Sequence, residues 1–150
     1  MSAPSAHFFV YGTLLFDDIV RALTNRTFET TPARLRGFVR HAIVRDQGIE
    51  AYPAIKPDAS GSIRGRLLLD VDAVSAGLID RFEGDPPDYQ PTPVGVESAG
   101  GRIIAATTYV ARPSLVSRLN GAWNPAEFER VHLAYYVGHV IPEMRRAMEH

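Results

Sequence analysis

The run "FFVY", Phe8 to Tyr11, is apolar, aromatic-rich and cut off by Gly12, a pattern that predicts a short buried strand followed by a turn. From Asp17, "DDIVRALTNR" sets Ile19, Val20 and Leu23 on one face, with two acids in the first turn where the helix dipole favours them, and predicts a short helix. "ARLRGFVRHAIV" predicts a strand carrying Leu35, Phe38 and Ile43 with an irregularity at Gly37, and "SIRGRLLLDV" predicts another. Between them "EAYPAIKPD" reads as a proline-punctuated loop. "PVGVES" and "RIIAATTYVA" form a hairpin through Ala99-Gly100-Gly101, and Pro91 and Pro93 push the start of its first strand to a sheet edge.

Two further helices follow from apolar spacing. In "DVDAVSAGLIDRFEG", Val71, Val74, Leu78, Ile79 and Phe82 recur at helical intervals, Asp70 or Asp72 caps the start, and Gly84 ends the helix at Glu83. In the segment after Trp123, Asn124, Pro125 and Glu127 form a start signal, Phe128, Val131, Tyr135 and Val140 continue the stripe, and Pro142 kinks or divides it. Strands outnumber helices and are mostly joined by hairpins, so the predicted class is α+β with a curled sheet or small barrel. The 150 residues, 45% of them hydrophobic, fit one domain with a real core.

Charge and composition narrow the partners. Sixteen basic and 17 acidic residues are spread along the chain for a formal net charge of −1, which gives no footprint for nucleic acid or an anionic membrane and favours a small-molecule or protein partner. With no cysteine, disulfides, thiolate metal sites and thiol nucleophiles are excluded. No basic-then-apolar leader is evident, and no apolar run approaches the ~20 residues that span a bilayer, so a cytoplasmic location is expected.

Several chemistries find no support. "VYGTLL" lacks the glycines and lysine of a phosphate loop and is not G-x-G-x-x-G, and "ASGSIRG" does not make a nucleophile elbow. His132 and His139 stand seven apart without a third ligand, so neither a metal nor another cofactor is expected.

Glu83 is different. A helix C-terminus carries partial negative charge and disfavours a carboxylate by roughly 0.3–1 kcal/mol. Asp80, Asp85 and Asp88 add like charge, Arg81 opposes them, and desolvation by Phe82 raises proton affinity further. Those conditions turn a glutamate into a proton shuttle near neutral pH, whereas the plain alternative is an exposed carboxylate in a last helical turn. The turn at Tyr11-Gly12-Thr13-Leu14-Leu15 likewise has two readings: a nest of N–H groups for a small carboxylate, or a simple strand-to-helix connection.

Taken in order, Tyr11-Gly12-Thr13-Leu14-Leu15, Tyr52-Pro53-Ala54-Ile55, Gly65 before Leu67-Leu68, Ile79 to Gly84 with Tyr89, and Ala106 to Val110 resemble the γ-glutamylcyclotransferase-like proteins, AIG2-like branch included. The likeness spans about residues 8 to 110, with a weaker echo at Trp123 and Phe128. It implies a compact mixed β-barrel with flanking helices, a loop at Tyr11 to Leu15 that receives the α-carboxylate end of a γ-glutamyl substrate, and Glu83 as catalytic proton carrier. The chain departs from the pattern at Tyr89-Gln90-Pro91, where the family usually has arginine in place of Pro91.

The implied reaction is attack of the substrate's α-amine on its own γ-carbonyl, giving 5-oxoproline and a free amine. One carboxyl can take the ammonium proton and return it to the leaving nitrogen, and the intramolecular geometry supplies proximity without a metal. Tyr11, Tyr52, Tyr89 and Tyr109 are candidates to orient the substrate, Tyr89 foremost for its nearness to Glu83. Two alternatives stand beside this enzyme. One is a non-catalytic module binding a small carboxylate or γ-glutamyl metabolite, favoured if Tyr52 or Pro86-Pro87 blocks the pocket; the other is a hydrolase releasing glutamate.

Overall fold

The computed structural model describes residues 6–84 and 88–148. Its strands β1 (Ala6–Val10), β2 (Thr30–Arg45), β3 (Gly48–Val71), β4 (Tyr89–Ser98) and β5 (Ile103–Ala111) close into a barrel in the spatial order β1-β3-β2-β4-β5. All neighbours are antiparallel except β1 and β5, which run parallel where Phe8 faces Thr107. Helices α1 (Asp17–Thr24), α2 (Ala73–Gly84), α3 (Pro113–Val116), α4 (Pro125–Val131), α5 (Leu133–Tyr135) and α6 (Ile141–Met148) complete the mixed α+β fold.

Alternation along the strands divides the core in two. Phe9, Tyr11, Leu35, Ile55, Ile63, Leu67 and Val96 form one buried cluster. Phe8, Val10, Ala54 and Leu68, one pleat away on the same strands, join a second cluster with Ile19, Leu23, Ile79, Phe128 and Ile141 from the helices. Each strand thus has an inward face and a helix-covered face, which requires apolar residues on both sides and accounts for uninterrupted runs such as "FFVY".

Gly65 lies where β3 crosses β1. A Cβ there would sit 2.4 Å from the Val10 carbonyl oxygen and 2.7 Å from the Phe9 ring, so only glycine fits. Gly65→Ala is expected to cost about 1–3 kcal/mol of stability in urea titration, the usual range for overpacking; a change within experimental error would show that the crossing can open freely.

The structure corrects four expectations. "EAYPAIKPD" is not a loop: it lies within β3, and "SIRGRLLLDV" continues the same strand. Prolines are accommodated because this part of β3 has a ladder partner on one side only, β2, and the Pro53 carbonyl points away from that ladder to accept from the Tyr89 hydroxyl at 2.7 Å. Val74 is 76% exposed; Ser75, not Val74, is the buried residue in the first turn of α2, which Asp72 caps through the Ser75 N–H at 3.1 Å. The helix includes Gly84 rather than stopping at Glu83.

The fourth correction concerns the C-terminal stripe. Asn124 caps α4 as expected, accepting from the Ala126 N–H at 2.9 Å, but Val131 and Tyr135 are 49% and 61% exposed. Tyr136–Val140 is a π-helical stretch, with the Ile141 N–H bonded to the Tyr136 carbonyl. Val131 and Tyr135 lie before this stretch: α4 ends in a break at His132 (φ −118°, ψ −21°), after which Leu133 and Tyr136 pack against the helical cluster, and Pro142, with no N–H to give the Gly138 carbonyl, accompanies the widened turn that follows. Elsewhere the readings hold: Gly37 (φ +87°) marks a bulge in β2, Gly101 (φ +81°) closes the β4–β5 turn, and Pro91 and Pro93 lie on the part of β4 paired with β5 alone.

Candidate active site

Tyr11 leaves β1 and the chain turns at once. Thr13–Leu15 is one 3₁₀ turn, closed by the Leu15 N–H on the Gly12 carbonyl at 3.0 Å, so the N–H groups of Gly12, Thr13 and Leu14 precede its first internal bond. Gly12 packs against Pro53: a Cβ on it would lie 3.0 Å from that ring. Arg40 of β2 braces the turn from behind, donating from Nη1 to the Tyr11 carbonyl at 2.8 Å while its guanidinium lies 5.2 Å from the Trp123 ring centre.

This turn forms one wall of a cavity of about 190 Å³. Glu83 reaches it from the last turn of α2, Tyr52 and Pro53 from β3, Tyr89 from the start of β4, and Tyr136, Val140 and Met144 from the C-terminal helical segment. Of the residues singled out in the sequence, Glu83, Tyr11, Gly12, Thr13, Leu14, Tyr52 and Tyr89 all line this one space. Leu15 does not; its half-buried side chain packs on the helical cluster instead. Tyr109 also lines it, whereas Pro91 is exposed on β4 and outside the lining, so the departure from the family pattern falls away from the cavity wall. Tyr52 forms wall rather than plug, and Pro86-Pro87 lies outside the described residues.

Burial pushes the Glu83 carboxyl up to about 8. The neighbouring acids contribute differently from the expectation: Asp80 accepts from the Tyr109 hydroxyl at 3.3 Å, and Asp88 is paired with Arg45 at 2.9 Å. No described residue hydrogen bonds to the Glu83 carboxylate. A half-buried acid on a cavity wall, with no hydrogen bond to stabilise its anion, holds its proton more tightly than a free glutamate.

The tyrosines are held by their own protons. Tyr11 donates to the Tyr109 carbonyl at 2.6 Å and Tyr89 to the Pro53 carbonyl at 2.7 Å, leaving each phenolic oxygen as an acceptor. Burial first, then the negative charge of Glu83 among other neighbours, raises both hydroxyls well above the ordinary range, so they stay neutral. Tyr136 is raised to about 12, chiefly by burial. At the cavity edge Arg45 binds Glu50 and Asp88, each at 2.9 Å, and also the Tyr52 hydroxyl, which orients that ring.

Comparison with known proteins decides the lineage: residues 8–127 match the family model described as gamma-glutamyl cyclotransferase, AIG2-like. The chain belongs to the AIG2-like γ-glutamyl cyclotransferase family. Among its relatives, AIG2-like protein D of Arabidopsis thaliana is 31% identical over 125 residues, covering 83% of this chain and 80% of the relative. A protein of Arabidopsis thaliana solved in solution superposes with a TM-score of 0.69 at 28% identity, covering 99% of this chain and 86% of that one. A solved gamma-glutamyl cyclotransferase shares the fold, with a TM-score of 0.60 at 18% identity over 73% of this chain and 68% of its own.

The sequence reading missed the family member's C-terminal wall. Tyr136, Val140 and Met144 lie beyond the matched segment, and the only local signal for their placement was Pro142, which accompanies the widened turn before it. Arg40 and Arg45 were missed because their partners are distant in sequence: a backbone carbonyl 29 residues away and an acid 43 away. Among the described residues, no group of three or more histidine, aspartate or glutamate side chains is arranged to hold a metal ion, and no helix is long and apolar enough to cross a membrane.

Proposed function

We propose that the protein, acting as a single domain over residues 1–150, is a γ-glutamyl cyclotransferase that converts a γ-glutamyl amide into 5-oxoproline and a free amine, with Glu83 as general acid and base. The observation that carries this reading is that the Glu83 carboxyl and the Tyr11-to-Leu14 turn line one cavity, with burial raising the carboxyl to about 8 beside it. The substrate's α-carboxylate rests on the turn's N–H groups, and the Tyr11 and Tyr89 oxygens accept from its ammonium. Ionised Glu83 removes one ammonium proton; the freed amine forms a bond to the γ-carbonyl carbon; the amide C–N bond breaks as Glu83 returns that proton to the departing nitrogen, and the second proton shed by the attacking nitrogen leaves with the amine, which departs as its ammonium. Folding the substrate in the cavity makes the attack intramolecular.

The pH profile tests the role of Glu83. With its carboxyl near 8, kcat/KM is expected to rise as pH increases toward 8 and to fall once the substrate ammonium itself ionises. A profile flat between pH 6 and 8 would contradict a titrating Glu83, because the reactive protonation state would then already be filled.

A further inference from the structure

Tyr11, Tyr52, Tyr89, Tyr109 and Tyr136 line the cavity, and what their hydroxyls touch separates them. Tyr11 and Tyr89 donate their protons to backbone carbonyls, Tyr109 donates to Asp80 at 3.3 Å, and Tyr52 is held by Arg45 at the rim. Among the described residues nothing hydrogen bonds to the Tyr136 hydroxyl. Nor is that hydroxyl sealed in the packing, since the one fully buried side-chain oxygen without a hydrogen bond among those residues is Asp72 Oδ1. Its ring is fixed independently: it meets Phe128 edge-on at 5.1 Å and 70° and opens the π-helical stretch Tyr136–Val140. Burial first, with Tyr52, Glu50 and Glu83 adding, raises the hydroxyl to about 12, so it keeps its proton across the range in which Glu83 titrates.

Ring closure calls for a donor of this kind. As the freed amine bonds to the γ-carbonyl carbon, the C=O electron pair moves onto oxygen, which becomes an alkoxide. The cavity's described lining holds neither lysine nor arginine to meet that charge, and the N–H groups of the Tyr11-to-Leu14 turn are engaged by the α-carboxylate. We propose that the Tyr136 hydroxyl is the oxyanion donor, hydrogen bonding to the γ-carbonyl oxygen and holding it more strongly as its charge develops. This rests on the cyclotransferase reading. The phenolic proton is shared and not transferred, and the electron pair returns to carbon as the amide C–N bond breaks. The tyrosines thus divide by where their protons lie: Tyr11 and Tyr89 have only acceptor capacity left, which suits the ammonium, whereas Tyr136 has a proton to offer, which suits the oxyanion. Tyr136 lies beyond residues 8–127, so this donor comes from the C-terminal helical layer.

The γ-glutamyl amides of butylamine, alanine and putrescine are screened first, and the one that the parent turns over fastest carries the comparison. In Tyr136→Phe, kcat for 5-oxoproline formation is expected to fall roughly 10²–10³-fold, the usual worth of one oxyanion donor, with KM within roughly threefold of the parent. The pH profile should keep the parent's inflection near 8, because the hydroxyl acts on substrate and not through Glu83. Tyr135→Phe, altered on the same helical segment at an exposed ring outside the cavity lining, should match the parent. Near-parent kcat in Tyr136→Phe, a loss carried by KM alone, a displaced inflection, or an equal loss in Tyr135→Phe overturns the oxyanion role and leaves the cyclotransferase standing. A Tyr136→Phe chain that does not fold, read by circular dichroism melts, overturns it too, since the hydroxyl would then be committed to packing. Absence of 5-oxoproline from every amide overturns both.

Discussion

Glu83→Gln is expected to lower the rate of 5-oxoproline formation by roughly 10²–10⁴-fold, the usual worth of general acid-base catalysis. Glutamine keeps the shape and a hydrogen-bonding end but cannot carry a proton from the ammonium to the leaving nitrogen. Binding rests on the Tyr11-to-Leu14 turn, so calorimetric affinity for a γ-glutamyl ligand should change far less than the rate. The same variant should be more stable than the parent. A carboxyl raised to about 8 in the fold, against 4.5 for an ordinary glutamate, contributes stability that is fully present below the unfolded value and is lost as pH rises through the folded one. The melting temperatures of parent and Glu83→Gln should therefore be close at pH 4 and diverge in favour of the variant up to pH 8. A variant with near-full turnover would remove Glu83 from the mechanism, and one less stable at pH 8 would make the side chain structural.

Phe128→Ala should destabilise the fold by about 3–5 kcal/mol. The ring is 1% exposed and sits between Phe16 at 5.4 Å, Trp123 at 6.1 Å and the edge of Tyr136 at 5.1 Å. Phe16 immediately follows the 3₁₀ turn and Tyr136 belongs to the cavity wall, so the cavity left by truncation lies behind the site as well as in the core. Urea denaturation should show the loss in full, and Phe128→Leu should recover part of it. A loss below ~1 kcal/mol would mean that the C-terminal layer does not depend on this ring.

Much of this architecture was legible in local pattern because its causes are local. Ile19, Val20 and Leu23 face the core as their spacing demands, and Gly37 and Gly101 take the left-handed backbone that their positions require. The candidate site residues Tyr11 to Leu14 and Glu83 stood out in the sequence as a turn after a strand and a carboxylate at a helix end, two features that meet only where β1 and α2 bring them to one cavity. What escaped was set by tertiary context. The prolines of "EAYPAIKPD" look like loop punctuation until the edge of β3 is known to face Tyr89 rather than another strand. The elevated proton affinity of Glu83 follows from burial alone, since Asp80 and Asp88 turn to Tyr109 and Arg45. The C-terminal stripe was misphased because the break at His132 between α4 and α5 interrupts the helical repeat without a signature in apolar periodicity.

The central claim is the identity of the product. Incubating the protein with a panel of γ-glutamyl amides, of alkylamines, amino acids, peptides and polyamines, and resolving the products by mass spectrometry should yield 5-oxoproline and the free amine in equal amounts from at least one of them. Glutamate in place of 5-oxoproline would make Glu83 an activator of water and the protein a hydrolase, and saturable binding of these amides with no product at all would make it a binding module.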